Sequence, residues 1–249
     1  MGTGRLAEAA VIISALEARL SLPLSGALQT LAGRHILVTS GPTFEPIDPV
    51  RYIANHSSGK QGHAIAKACA DKGARVTLIS GPVQLDDPVG VEIIKVTTAG
   101  QMYDACMASL PADCAICAAA VADWHVVNSG SQKMKKTDKG IPHLQLAENP
   151  DILASLSQHE HRPQLVIGFA AETEHIARHA AAKRARKKCD WIVANWVGGT
   201  GEAAVFGQDS NHVTVLDDTG AHDWPRSSKT EIAEKLTRKI EAWFNDHQS

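Results

Sequence analysis

Apolar residues along this chain fall into short runs separated by stretches with helical spacing, in alternating order. "HILVTS" (His35 to Ser40), "RVTLIS" (Arg75 to Ser80), "VEIIKV" (Val91 to Val96), "CAICAAA" (Cys114 to Ala120), "QLVIGFA" (Gln164 to Ala170), "DWIVAN" (Asp190 to Asn195) and "HVTVLD" (His212 to Asp217) read as strands. Ser58 to Lys72, Thr98 to Leu110, Pro150 to Gln158, Glu174 to Lys188 and Lys229 to Phe244 read as helices. On the first, Ile65, Ala66 and Cys69 share a face and Gly73 supplies the stop. Cys114 to Ala120 is apolar throughout, as expected of a strand covered on both faces. The alternation predicts an α/β fold with a doubly wound, mostly parallel sheet. Ligands of such sheets sit beyond the carboxyl ends of the strands, here Gly41 onward, "AAVADW", "GFAAET" and "ANWVGG".

Three segments depart from the rhythm. Met1 to Gly33 reads as an amphipathic helix, "AAVIISALEARL", and a connector broken by Pro23 and Gly26, peripheral to the rest. Trp124 to Leu146 is polar and carries Lys133, Lys135, Lys136 and Lys139. It reads either as a solvated excursion or as a basic flap over an anionic ligand. The third lies between the first strand and its helix, where Pro42, Pro46 and Pro49 precede "NHSSGKQG" (Asn55 to Gly62). There Ser57 or Ser58 is a candidate helix cap, Gly59 allows a ligand close to the backbone, and Gly62 allows the helix close to the sheet. The amino end of that helix offers free N–H groups to an anion. Asn55 has no evident core use, and its amide could donate to a developing oxyanion.

Composition narrows the choices. At 249 residues, 44% of them hydrophobic and 21% charged, the chain can bury one sizeable core. A formal net charge of -2 supplies no basic field for nucleic acid. No apolar stretch reaches membrane-spanning length, and the five cysteines read as reduced thiols, so a cytoplasmic protein with no membrane partner is expected. Cys114 and Cys117 form a C-x-x-C inside a buried strand, the wrong setting for zinc or redox use, and the twelve histidines make no metal constellation. Asp123, after the apolar strand, could hold Mg2+ or a ribose, or simply cap a helix. Lys183 and Lys187, four apart on one helical face, could reach a phosphate or face solvent, and Phe169 is either core or a base-stacking surface.

Taken in order, "TSGPTFEPIDPVRYIANHSSGKQG", "AAAVADW", "KMKK", "ENPDIL", "GFAAET" and "KRARKKCDWIVAN" resemble bacterial phosphopantothenoylcysteine synthetase, the phosphopantothenate–cysteine ligase of coenzyme A synthesis. The resemblance runs from about Arg34 to Phe244 and implies a Rossmann-like fold with a long flexible flap. It also implies a CTP-dependent ligation of 4'-phosphopantothenate with cysteine through an acyl-cytidylate, with Mg2+ as cofactor, in a homodimer. "GRLAEAAVIISALEARL" resembles the tail of the flavin-dependent decarboxylase domain that precedes this ligase. Residues 1–33 are therefore expected to be a linker remnant, and 34–249 the ligase domain.

Residue by residue, the resemblance gives Asn55 the acyl-cytidylate and Arg51 the phosphopantothenate or the dimer interface. Ser57, Ser58 and Gly59 fall on the substrate-binding turn. Asp123 matches the nucleotide- and cation-side aspartate, and Lys133 the flap lysine needed for turnover. Ala118, Ala119 and Ala120 leave room for the nucleotide. Pro150, Asp151, Ile152, Leu153 and Phe169 match cytidine-contacting positions, and Lys183 and Lys187 the helix lysines on the nucleotide. There are two departures: Trp124 stands where Tyr or Phe is common, and "SGSQ" before Lys133 lacks a usual Pro-Glu. The competing reading, an NAD(P)-binding Rossmann-type oxidoreductase, calls for an acidic residue ending the second strand. "RVTLIS" ends instead in Ser80-Gly81-Pro82.

Overall fold

The structure is a computed structural model that describes residues 29–135, 143–172, 176–196 and 209–247. In chain order its elements are β1 (His35–Ser40), β2 (Phe44–Pro46), β3 (Tyr52–Ala54), α1 (Lys60–Asp71), β4 (Arg75–Ser80), β5 (Glu92–Lys95), α2 (Ala99–Ala108), β6 (Cys114–Cys117), β7 (Trp124–Val126), β8 (Leu146–Glu148), α3 (Ile152–Gln158), β9 (Leu165–Glu172), α4 (Ile176–Lys187), β10 (Trp191–Trp196), β11 (Ser210–Leu216), β12 (Ala221–Ser228) and α5 (Lys229–Asp246). The first 28 residues, with most of the N-terminal helix and linker read from sequence, lie outside the described residues.

Eight strands form one sheet in the order β12-β11-β10-β9-β6-β1-β4-β5. From β5 to β10 every pairing is parallel, while β11 and β12 are added antiparallel. β5, β4, β1, β6, β9 and β10 stand in the 3-2-1-4-5-6 order of a doubly wound sheet, so the winding reverses between β1 and β6. β1 occupies the middle and is buried at all six positions.

Each face of the sheet has its own helical layer. Ile36, Val38, Cys114, Ile116 and Ile167 pack with Ile65 and Cys69 of α1 and with Leu236 and Ile240 of α5. Leu37, Ile79 and Ala115 pack on the opposite face with α2 and α3, and Val166 and Ile192 continue that face against Leu153 and Ala180. Cys114 and Cys117 are three apart on a strand, so they point to opposite layers and cannot share a metal. Burial pushes the Cys117 thiol up to about 12, with Cys189 and Asp151 adding to the shift, so it stays protonated and inert at neutral pH.

The structure corrects the sequence reading in several places. The proline-rich loop after β1 is a β2–β3 hairpin, with Phe44 and Tyr52 stacked across it at 4.1 Å. The strand expected over Cys114 to Ala120 ends at Cys117, and beyond it only an isolated bridge from Ala120 to Pro42 continues the pairing. The polar excursion is rooted in a β7–β8 ribbon, with residues 136–142, including Lys136 and Lys139, outside the described residues. β12 was not anticipated. Its Pro225 cannot donate to a ladder, but β12 is an edge strand, where proline is tolerated.

The junction of β1 with α1 is tight. α1 begins at Lys60, with Gly59 as N-cap at φ 72° and no side-chain cap, so neither Ser57 nor Ser58 plays the capping part expected of it. Ser57 Oγ instead accepts the Gly59 amide at 3.2 Å. A Cβ on Gly59 would lie 2.7 Å from Val83 and 3.5 Å from the Cα of Gly41. Gly41, Gly59 and Gly62 thus occupy the places of a glycine fingerprint whose first interval has been opened to admit the hairpin. Ser40 Oγ donates to the Gly59 carbonyl at 2.9 Å and lies 3.0 Å from the buried His63 ring. A Cβ on Gly62 would fall 2.4 Å from Ser40 Oγ and 2.5 Å from its Cβ. Gly62→Ala is therefore expected to destabilise the fold by about 1–3 kcal/mol, as overpacking does. Urea unfolding measures this, and a variant as stable as the parent would mean the junction is looser than described.

Candidate functional site

A cleft of about 970 Å³ opens at the carboxyl ends of β1, β6 and β9, at the point where the winding reverses. Its wall includes the end of the hairpin and start of α1, the segment after β6, the start of α3, the end of β9 with the inner side of α4, and single residues of β10, β11 and α5.

The segment after β6 is held as an extension of β1. The amides of Ala118 and Ala120 donate to the carbonyls of Thr39 and Gly41 at 3.2 and 2.8 Å. Those of Ala119 and Ala122 donate to the hydroxyls of Thr39 and Thr43 at 3.2 and 2.9 Å. These N–H groups are spent within the fold. What the alanines offer the cleft is therefore open space beside β6. Asn55 reaches over from the hairpin, its Nδ2 donating to the Val121 carbonyl at 2.9 Å. An amide nitrogen carries two hydrogens, so a second donor remains. Asp123 is exposed in the cleft wall ahead of β7, so it does not cap a helix.

On the far wall Asp151 is the N-cap of α3, its Oδ1 accepting the Ala154 amide at 3.0 Å, and its other oxygen pairs with Lys187. Burial opposes ionisation of Asp151, but Lys187 and the Ala154 amide outweigh it and hold the carboxyl below its usual range. Lys183 donates to the Phe169 carbonyl at 2.9 Å. Phe169 itself is half-buried, packed against the core and also lining the cleft. Ser57, Ser58, Gly59, Pro150, Ile152 and Leu153 line the cleft too.

Arg51 and Lys133 do not line it. Arg51 sits at the hairpin turn, 3.5 Å from Asp48, with Nη2 donating to the Met134 carbonyl at 3.2 Å. Lys133 is exposed on a neighbouring segment outside any strand or helix. Asp48 ties the two regions together: its buried carboxylate accepts the amides of Val50 at 2.8 Å, Arg51 at 2.9 Å and Met134 at 3.1 Å. Gly130 N–H adds a bond to the Ile47 carbonyl at 3.0 Å. Burial disfavours the Asp48 carboxylate, yet the three amides and Arg51 together hold its pKa below the ordinary value.

Cleft residues that sequence reasoning missed are Thr39, Lys60, Asn149, Asn195, Asn211 and Lys229. Asn149 lay within the quoted "ENPDIL", and its Nδ2 closes the wall on the Ala122 carbonyl at 2.9 Å. Lys229 was hidden by distance along the chain, and only the fold brings it to Lys60.

Among the described residues no group of three or more His, Cys, Asp or Glu is placed to hold a metal ion. The donor chemistry suits a cation that arrives with a phosphate ligand. Mg2+ bound in that way keeps phosphate and water ligands and needs only one or two carboxylates, and Asp123 offers one.

Comparison with known proteins bears on this cleft. Residues 31–244 match the family model of the DNA/pantothenate metabolism flavoprotein C-terminal domain. The chain is 42% identical over 214 residues to the coenzyme A biosynthesis bifunctional protein CoaBC of Vibrio parahaemolyticus, covering 85% of this chain and 53% of that protein. It is 43% identical over 252 residues to CoaBC of Mycobacterium tuberculosis, covering 96% and 59%. The chain thus spans somewhat more than half the length of these relatives. The crystal structure of the C-terminal domain of a CoaBC protein superposes with a TM-score of 0.72 at 34% identity, covering 88% of this chain and 99% of that one.

The Asp48 clasp makes a pH prediction. Its folded pKa is depressed, so the stability it contributes is complete above the unfolded value near 3.8 and is lost as pH falls through the folded value. Amide exchange at Val50, Arg51 and Met134 should rise in acid before global unfolding, and Asp48→Ala should show the same rise at neutral pH. Unchanged protection in that variant would remove Asp48 from the clasp.

Proposed function

The chain belongs to the family of DNA/pantothenate metabolism flavoprotein C-terminal domains, and from that membership we propose that it joins 4'-phosphopantothenate to cysteine with CTP as co-substrate. The observation that carries the reading is the convergence of Asn55, Asp123, Phe169, Lys183 and Lys187 on one cleft at the switch point of the sheet. A carboxylate is a poor acyl donor at neutral pH. A carboxylate oxygen attacks the α-phosphorus of CTP, pyrophosphate leaves, and the acyl-cytidylate that results has a good leaving group. The cysteine amine then attacks the acyl carbon, CMP departs, and the amine proton passes to solvent.

The chain's own groups fit these steps. The open space at Ala118 to Ala120 admits the nucleotide beside β6, and Pro150 to Leu153 with Phe169 contact the cytosine side. Lys183 and Lys187 exchange their internal partners for phosphate oxygens. Asp123 would hold the Mg2+ that accompanies the nucleotide, which would supply charge to offset the triphosphate. The second N–H of Asn55 is within the cleft to hold the acyl group, where an oriented donor in a water-poor site is worth most. Lys133 acts from the flap, on the side of the clasp set by Asp48.

Arg51 lies outside this cleft and acts across a homodimer interface. Val50 and Tyr52 on the hairpin, and Trp124, Leu144 and Leu146 on or beside the β7–β8 ribbon, are exposed apolar side chains, and a second copy of the chain covers them. The relatives are bifunctional proteins, and this ligase domain works joined to a flavin-dependent decarboxylase domain. An oxidoreductase reading is not favoured, since β4 ends without an acid and the hairpin splits the fingerprint.

The test is pyrophosphate release from CTP with phosphopantothenate, followed by CMP release only on adding cysteine; no pyrophosphate with any nucleotide would sink the proposal. Asn55→Ala should still release pyrophosphate while turnover to product falls about a hundredfold, the scale of one lost oxyanion donor. Normal turnover in that variant would end the assignment. Sedimentation of the parent should show a dimer, and Lys133→Gln should lower turnover while leaving that sedimentation unchanged; unchanged kinetics would remove the flap from the mechanism.

A further inference from the structure

The cleft has a second cationic wall, formed by Lys60 in the first turn of α1 and Lys229 at the first position of α5. Both helices lie on the face of the sheet opposite α3 and α4, whose layer carries Asp151, Lys183 and Lys187. Lys229 is fixed in place by a capping box. Ser228 Oγ accepts the Glu231 amide at 3.1 Å, and Glu231 accepts the Ser228 amide at 2.7 Å. Its backbone is held on both sides, the amide donating to the Asp209 carbonyl at 2.9 Å and the carbonyl accepting Gln61 Nε2 at 3.1 Å. Lys60 reaches the Asp209 carboxylate from the other side.

Lys60 thus pairs directly with the Asp209 carboxylate, and Lys229 lines the same wall within the electrostatic reach of both. Burial, and then the Lys60 charge, pushes the Lys229 pKa below its ordinary value, with Asp209 acting the other way. Beside them Asn211 is buried, and the Gln61 Oε1 is buried with no hydrogen-bond partner among the described residues. None of these groups has a structural task that requires a charge at Lys229, since its helix-start bonds are all made by backbone.

We propose that Lys60 and Lys229 form a polyphosphate subsite that takes the terminal phosphates of the nucleotide and then holds the pyrophosphate they become. The inference rests on the nucleotide reading above. The nucleoside lies on the α3–α4 side, and the phosphate chain crosses the carboxyl ends of β6 and β1 to the start of α1. When the bond between the α-phosphorus and the bridging oxygen breaks, its electron pair stays on pyrophosphate, and the added charge develops beside the two ammonium groups. Lys60 gives up Asp209 for phosphate as the ligand enters, an exchange of one exposed ion pair for another of higher charge.

The test is titration calorimetry of pyrophosphate, CTP and CMP into the parent, Lys229→Met, Lys60→Met and Lys229→Arg, with melting temperatures as the check on folding. Lys229→Met keeps every backbone bond named above. It should weaken pyrophosphate and CTP by about ten- to a hundredfold, the loss of one charge-assisted bond, and leave CMP affinity and the KM for phosphopantothenate unchanged. Lys60→Met should act in the same direction, and Lys229→Arg should recover most of the affinity. Unchanged pyrophosphate binding in Lys229→Met would overturn the subsite, as would an equal loss for CMP. A raised KM for phosphopantothenate with CTP unaffected would assign the wall to the phosphate of the acid and overturn the proposal too. Failure of the parent to release pyrophosphate from CTP refutes the function above; a releasing parent with an unaffected Lys229→Met refutes only this inference.

Discussion

The site depends on there being no room for a side chain where β1 meets α1. Ser40, Gly41, Gly59 and Gly62 pack so closely that a Cβ at either of the last two would meet another atom within 2.7 Å. That approach brings the first turn of α1 to the carboxyl end of the central strand. It also brings both ends of the β2–β3 hairpin together, so the hairpin can stand out from the sheet without loosening it. Ser40, His63 and the Gly59 carbonyl then lock the junction through hydrogen bonds of 2.9 to 3.1 Å. Burial lowers the His63 pKa, so the ring is neutral in this lock, and the stability it adds is complete above the unfolded value near 6.5 and lost on acidification.

Around that junction the cleft is made by groups that already have partners. Lys187 holds Asp151, Lys183 holds the Phe169 carbonyl, Lys60 holds Asp209 and Asn55 holds the Val121 carbonyl. The two ion pairs among these contacts are individually worth about 0–1 kcal/mol, and the two bonds to carbonyls about the same. They are strong enough to orient the cations and weak enough to be exchanged for phosphate. The cations also sit on both sides of the sheet, so an extended anion can be gripped at its two ends while its middle lies over the strand termini. Anchoring of the hairpin by Asp48 places Arg51 and Lys133 in a separate unit that faces outward, as residues acting from a flap or from a partner subunit would.

Much of this was legible in the sequence, for identifiable reasons. The central strands were visible because burial on both faces leaves apolar runs such as "HILV" and "CAIC", and the end of α1 was marked by Gly73. Residues near a strand end in the sequence, such as Asn55, Asp123 and Phe169, were found in the cleft because a doubly wound sheet puts its ligands there. The hairpin was missed because prolines argue against strands, yet Pro46 closes a short ribbon whose pairing needs few donors. β12 was missed because "HDWPRS" has neither alternation nor a continuous apolar run, and its place at the edge removes the need for either. The helix cap was misassigned to serine because a left-handed glycine at an N-cap leaves no mark in composition. Lys229 could not be found from spacing, since only the packing of α5 on α1 brings it to the cleft.

The central claim is that the carboxylate is activated at the α-phosphorus of the nucleotide within this cleft. The most direct test uses phosphopantothenate labelled with 18O in its carboxylate, turned over with CTP and cysteine, and mass spectrometry of the products. The account predicts one labelled oxygen in CMP and none in pyrophosphate. Label in orthophosphate, or CMP without label, would contradict it.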